Sequence, residues 1–101
     1  MLVEIGELDS FKEGRLKLAV INNKNYVVVK LKGKFYCVQG DCTHNQGPLW
    51  EGTIEGTKLT CPWHASQFDI KTGKALGGPA IVDLKTLSLK LKSGKLFADV
   101  K

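Results

Sequence analysis

Histidine and cysteine are scarce in this chain, two and three among 101 residues, and methionine and arginine occur once each. No apolar run approaches the roughly 20 residues that a membrane-spanning helix needs, so no membrane association is expected. The opening MLVEIGELDS carries acids and lacks a basic stretch followed by an apolar one, and no signal peptide is read there. Three cysteines offer no disulfide framework. These absences together lead to the expectation of a soluble cytoplasmic protein. Enzyme signatures are also missing. There is no Ser–His–Asp set, no phosphate loop and no dinucleotide fingerprint.

A length of 101 residues leads us to expect one domain over residues 1–101. A chain this short buries a modest core, to which a bound metal centre would add stability. Fourteen lysines and one arginine outnumber ten acids, for a formal net charge of +5, and they are scattered from Lys12 onwards. Many alternate with apolar residues, as in LSLKLK at residues 87–92. On a strand that pattern puts lysine on the wet face, where it also discourages edge-to-edge pairing. A second reading of the excess is a basic patch that steers an acidic partner protein. Nucleic acid is not an expected partner, because no recognition-helix pattern occurs and the aromatics are not interleaved with a basic cluster.

Helical periodicity is nearly absent. Short runs rich in Val, Ile, Leu and aromatics recur instead, and they predict strands over residues 2–5, 16–21, 26–31, 35–38, 58–61, 67–70, 80–84, 87–91 and 95–100. INNKNY supplies an Asn-rich turn, KLKGKFY a Gly-centred hairpin and LKSGKLF another. Only residues 9–14 could form a brief helical turn, capped by Asp9 or Ser10. The spacing predicts an all-β sandwich or small barrel. Glycine and proline concentrate between residues 40 and about 80, which predicts a loop-built subdomain set into the β scaffold.

That middle third holds CTHNQGPLWEGTIEGTKLTCPWH, residues 42–64, with both histidines of the chain. The spacing is C-x-H, sixteen intervening residues, then C-x-x-H. Two paired Cys–His groups that use every histidine argue against coincidence. A structural zinc site would be tetrahedral, with ligands usually two to four residues apart on each arm. C-x-H is too tight for that habit, because side chains at i and i+2 on one extended arm diverge. Divergence suits a two-iron cluster, where each arm sends its Cys to one iron and its His to the other.

The motif resembles the Rieske 2Fe–2S signature. FYCVQGDCTHNQGPL is similar to the strand and first cluster loop of Rieske ferredoxins, and CPWHASQFDIKTGKALGGPA to the second loop, the following strand and the proline loop. The resemblance implies a Rieske fold, an antiparallel β-sandwich scaffold with a cluster-binding subdomain at about residues 40–80, and one 2Fe–2S cluster. It implies Cys42 and Cys61 on the inner iron and His44 and His64 on the outer iron. Pro79 would lie in the loop that covers the cluster, and Trp63 would pack beside the cluster in preference to docking a partner. Cys37, on the preceding strand, reads as a buried thiol. Ala65 replaces a glycine common in related loops.

Two neutral imidazoles in place of two thiolates leave the oxidised centre formally neutral rather than dianionic, so it accepts an electron more readily. Potentials accordingly run from roughly −150 to +300 mV, against about −400 mV for all-thiolate plant-type clusters. The high-potential members of the family carry a disulfide between the cluster loops. Gly47 and Trp63 stand at those places here. Those members also place a serine and a tyrosine to donate towards cluster sulfur. Ser66 matches the serine, whereas Phe68 stands at the tyrosine position without a hydroxyl. The expectation is a midpoint of roughly −150 to +50 mV.

The resemblance therefore implies a soluble, monomeric one-electron carrier and not an enzyme, since no third histidine is present for a mononuclear catalytic iron. Its expected partners are a flavin-containing reductase and an acceptor such as a terminal oxygenase or other redox protein. The alternative is a small Rieske-like subunit of a multi-subunit nitrite reductase.

Overall fold

In the computed structural model, which describes residues 1–43, 46–63 and 65–100, ten strands run β1 (Leu2–Glu7), β2 (Lys17–Ile21), β3 (Lys24–Leu31), β4 (Lys34–Gln39), β5 (Thr53–Glu55), β6 (Lys58–Thr60), β7 (Gln67–Asp69), β8 (Ala75–Gly77), β9 (Ser88–Lys92) and β10 (Lys95–Asp99). They form three antiparallel sheets with the orders β1-β10-β9, β2-β3-β4 and β5-β6-β7-β8. The all-β antiparallel class is as expected. No helix among the described residues is long and apolar enough to cross a membrane.

β3 explains the layering. Its Val27, Val28 and Val29 run consecutively and are all fully buried, although strand side chains alternate between faces. Such a run requires cover on both sides. Val27 and Val29 join Val38, Leu49, Leu59 and Phe68 in the main core, beside the four-stranded sheet. Val28 joins Phe11, Cys37 and Leu96 on the other face, beside the sheet of β1, β10 and β9. Val27 pairs with Val38 and Val28 with Cys37, so β4 divides its side chains in the same way. The sheet of β2, β3 and β4 is thus the middle layer.

The predicted hairpins are present. Asn22 and Asn23, Lys32 and Gly33, and Ser93 and Gly94 all have positive φ, between 51° and 77°. That is the conformation a two-residue turn needs to match strand twist. Four expectations change, the first being that a second 3-10 turn forms at Leu49–Glu51, beyond the one segment expected to turn. The helical turn is a 3-10 turn at Leu8–Ser10 with no side-chain cap, because Ser10 Oγ bonds back to the Glu7 carbonyl at 2.7 Å. Residues 80–84 form no strand, because their backbone groups serve the loops described below. β5 and β8 were not foreseen; each has only three residues, beside glycine, and is held by the neighbouring strand rather than by propensity.

Candidate metal centre

Two loops project from the main core, and they are built alike. The first follows β4. Gly40 N–H donates to the Asn25 carbonyl at 2.7 Å and Leu49 N–H to the Gly40 carbonyl at 2.9 Å, which pins both ends of the loop to the middle sheet. Inside it, Cys42 N–H donates to the Gly47 carbonyl at 2.9 Å. The second loop joins β6 to β7, where Cys61 N–H donates to the Ser66 carbonyl at 2.8 Å. Each loop therefore closes from its cysteine onto the fifth residue beyond it. Each turns at the fourth, Gln46 with φ 61° and Ala65 with φ 58°. Backbone in that region is costly for residues other than glycine, so both positions need the closing bond to hold them.

The two cysteines are buried, 1% and 2% exposed, and share the main core. Their thiols lie close enough to hydrogen-bond each other. The Cys61 thiol is pushed up chiefly by burial and further by the hydrogen bond and charge of Cys42; the Trp63 amide, donating to its Sγ at 3.4 Å, pulls the other way. Two adjacent buried thiolates without a cation would be strongly disfavoured. A metal between them removes that penalty, since coordinated thiols ionise. The donor set therefore fits the inner iron of a sulfur-bridged cluster. His44 and His64 lie outside the described residues.

A third segment, residues 78–82, straps the loops together. Thr43 Oγ1 donates to the Val82 carbonyl at 2.6 Å on the first loop, and Ala80 N–H donates to Ser66 Oγ at 3.1 Å on the second. Ser66 is fully buried, as is Phe68 between Leu59 and Ala75 on neighbouring strands. Gly78, at φ 81°, lies so close to the second loop that a Cβ there would sit 2.8 Å from the Ala65 carbonyl oxygen and from Ser66 Cα. Pro79 lies in this strap and is exposed. Trp63 is 50% exposed, with its amide donating to Cys61 Sγ, and Ile81 and Val82 at one end of the strap are exposed too.

Sequence reasoning placed Gly78 in the proline loop but missed Thr43, which ties that strap to the first loop. A hydroxyl between Cys42 and His44 was the available signal for Thr43. Cys37 takes no part here; it is buried in the other core. Asp69 and Thr72 hold a turn, their side chains accepting from the Lys71 and Lys74 amides. No disulfide links the loops, and Cys37, Cys42 and Cys61 are all free thiols.

Comparison with known proteins identifies the family and the fold. The family profile described as the Rieske 2Fe-2S domain matches residues 1–88. The ferredoxin component of naphthalene 1,2-dioxygenase/salicylate 5-hydroxylase systems from a Ralstonia species is 34% identical over 90 residues, 89% of this chain and 86% of that protein. The biphenyl 2,3-dioxygenase ferredoxin component of Rhodococcus jostii is 33% identical, over 94% of this chain and 81% of its own. Among solved structures, a Sphingomonas yanoikuyae ferredoxin superposes over the whole of both chains with a TM-score of 0.93 at 25% identity.

Proposed function

Because the chain belongs to the Rieske 2Fe-2S domain family, we propose that Cys42 and Cys61 hold the inner iron of its one cluster and His44 and His64 the outer. The protein is a ferredoxin, a one-electron carrier and not an enzyme. When bound, the cluster supplies the reversible uptake of one electron at the elevated potential that mixed Cys–His ligation gives. The placement of Cys42 and Cys61 in one core, buried at the closing bonds of matched loops with their thiols within hydrogen-bond reach, carries the ligand assignment.

The protein's own residues do the rest. The strap ties the two loops together through Ala80, Ser66 and Thr43. Ser66 Oγ accepts from Ala80, which leaves its own proton to donate elsewhere, and a donor aimed at sulfur favours the reduced state. The loops at residues 42–47 and 61–66 and the strap contain no Lys, Arg, Asp or Glu. Five acids stand against three lysines over residues 40–83, so the positive excess belongs to the rest of the chain. Lysine steering is therefore weak at the redox end. Trp63, Ile81 and Val82 instead offer an apolar docking face, and short-lived electron-transfer contacts bury less than about 1,200 Å² in total.

The partners follow by analogy with the relatives named above: a terminal oxygenase accepts the electron, and a flavin-containing reductase supplies it to the monomeric carrier in the cytoplasm. A putative nitrite reductase small subunit shares the fold, with a TM-score of 0.83, but only 18% identity; no residue contact favours that reading. The test is anaerobic purification followed by iron and acid-labile sulfide analysis, then mixing of the reduced protein with a Rieske-type terminal oxygenase. Equal iron and sulfide with rapid reoxidation supports the reading. A lone metal overturns the ligand assignment, and a loaded protein that no such oxygenase reoxidises overturns the acceptor.

A further inference from the structure

Away from the metal centre, a cavity of ≈ 390 Å³ opens where the β3–β4 hairpin meets the β5–β6 hairpin. Its floor is Leu31, Tyr36 and Ile54, each partly buried and packed on the main core. Its rim is Lys32, Lys34 and Lys71. No residue of the cluster loops or of the strap lines it. The volume lies within the range of about 300–1,000 Å³ typical of small-molecule sites, and an apolar floor with few polar groups is their usual make-up.

The charges at this cavity are unbalanced. Glu13 is the acid among the lining residues, and its carboxylate is already held by the Lys32 and Gly33 amides at 2.5 and 3.4 Å. Among the described residues no ion pair engages Lys32, Lys34 or Lys71. Lys71 Nζ stands 6.0 Å over the Tyr36 ring, an ammonium beside an apolar face. The turn at Lys32 and Gly33 is what brings Lys32 and Lys34 to one mouth, and Lys34 shares a strand face with Tyr36.

We propose that this cavity binds a small amphiphilic carboxylate, an aromatic or short aliphatic body seated on Leu31, Tyr36 and Ile54 with its anionic head among the three lysines. An apolar floor gives a bare inorganic anion nothing to displace water from. A cationic rim disfavours a cation and adds nothing for a neutral body. Only a ligand with both parts uses both features.

The cluster-loaded protein, titrated with 4-phenylbutyrate and separately with its neutral amide, tests this by calorimetry and amide NMR. The expected result is one site with a Kd below about 1 mM for the acid, with the amide at least about tenfold weaker. Shifts should concentrate at Gly14, Gly56 and Lys71, which line the cavity. The combined Lys32→Gln, Lys34→Gln and Lys71→Gln variant should lose at least about tenfold in affinity while keeping the visible spectrum of the cluster. Equal binding of acid and amide, unchanged affinity in the variant, shifts centred elsewhere, or no binding in that range would each overturn the proposal. Should the triple variant misfold, the acid–amide comparison on the native protein still decides.

Discussion

The amide of Ala80 donates to the hydroxyl of Ser66 at 3.1 Å, across 14 residues of chain and in a fully buried setting. One hydroxyl thus joins the strap to the second cluster loop. It also keeps a proton of its own to aim at the metal centre. Replacement by Ala removes both roles at once. Ser66→Ala leaves the Ala80 amide buried without a partner, which costs about 1–3 kcal/mol. A lost donor worth about 1 kcal/mol to the reduced state lowers the midpoint by roughly 40 mV. Denaturant melts and protein-film voltammetry should therefore fall together. An unchanged midpoint would show that the hydroxyl does not face the cluster.

Phe68→Tyr is the complementary change. The Phe68 ring is fully buried on β7, so an added hydroxyl must find an acceptor or pay desolvation. With cluster sulfur in reach, the midpoint rises by tens of millivolts, roughly 40 mV for about 1 kcal/mol of differential stabilisation. Voltammetry of the variant checks the direction. An unchanged or lower midpoint in the loaded variant would show that no sulfur is within reach.

Ala65 sits at φ 58°, where an L-residue is strained by about 1–2 kcal/mol and glycine is not. Ala65→Gly relieves that strain but enlarges the freedom of the unfolded chain by about 0.4–1 kcal/mol. A net gain of about 0.5 kcal/mol is expected, read as a higher denaturant midpoint at constant slope. Alanine in place of the glycine common in related loops is thus a cost at this position.

Cys37 makes stability depend on alkaline pH. Burial pushes its thiol from 9.0 up to about 12. The folded value is raised, so the contribution is fully present below pH 9 and is lost as pH climbs towards 12. Over that window the unfolded chain has released a proton that the folded protein keeps, a slope of about 1.4 kcal/mol per pH unit. Stability curves of the loaded wild type and Cys37→Ala, compared between pH 8 and 11, should diverge by that slope. Parallel curves would contradict the burial effect.

Ile81, within the strap, is 89% exposed and belongs to none of the core clusters. Ile81→Asp should leave the midpoint and the fold unchanged while slowing electron transfer to the oxygenase at least about tenfold, since it charges the centre of an apolar contact. Stopped-flow reoxidation measures it. Added salt should change the wild-type rate little, because the docking face carries no charge of its own.

The fold class and three hairpin turns were legible in the chain because each depends on local chemistry, as does the spacing from which four ligands are proposed. Strand runs, Asn–Asn, Lys–Gly and Ser–Gly turns and the Cys–His spacing all lie within short stretches. The burial of three consecutive valines was not legible, since it needs two further layers to be in place. Nor was the strap. Residues 80–84 read as a strand from composition, yet Ala80 and Val82 give their backbone groups to Ser66 and Thr43. Those partners are distant in sequence, and only chain packing brings them near. The exposure of Trp63 was decided at the same level: its neighbours in sequence say what it could bury, but contacts from elsewhere determine whether anything covers it.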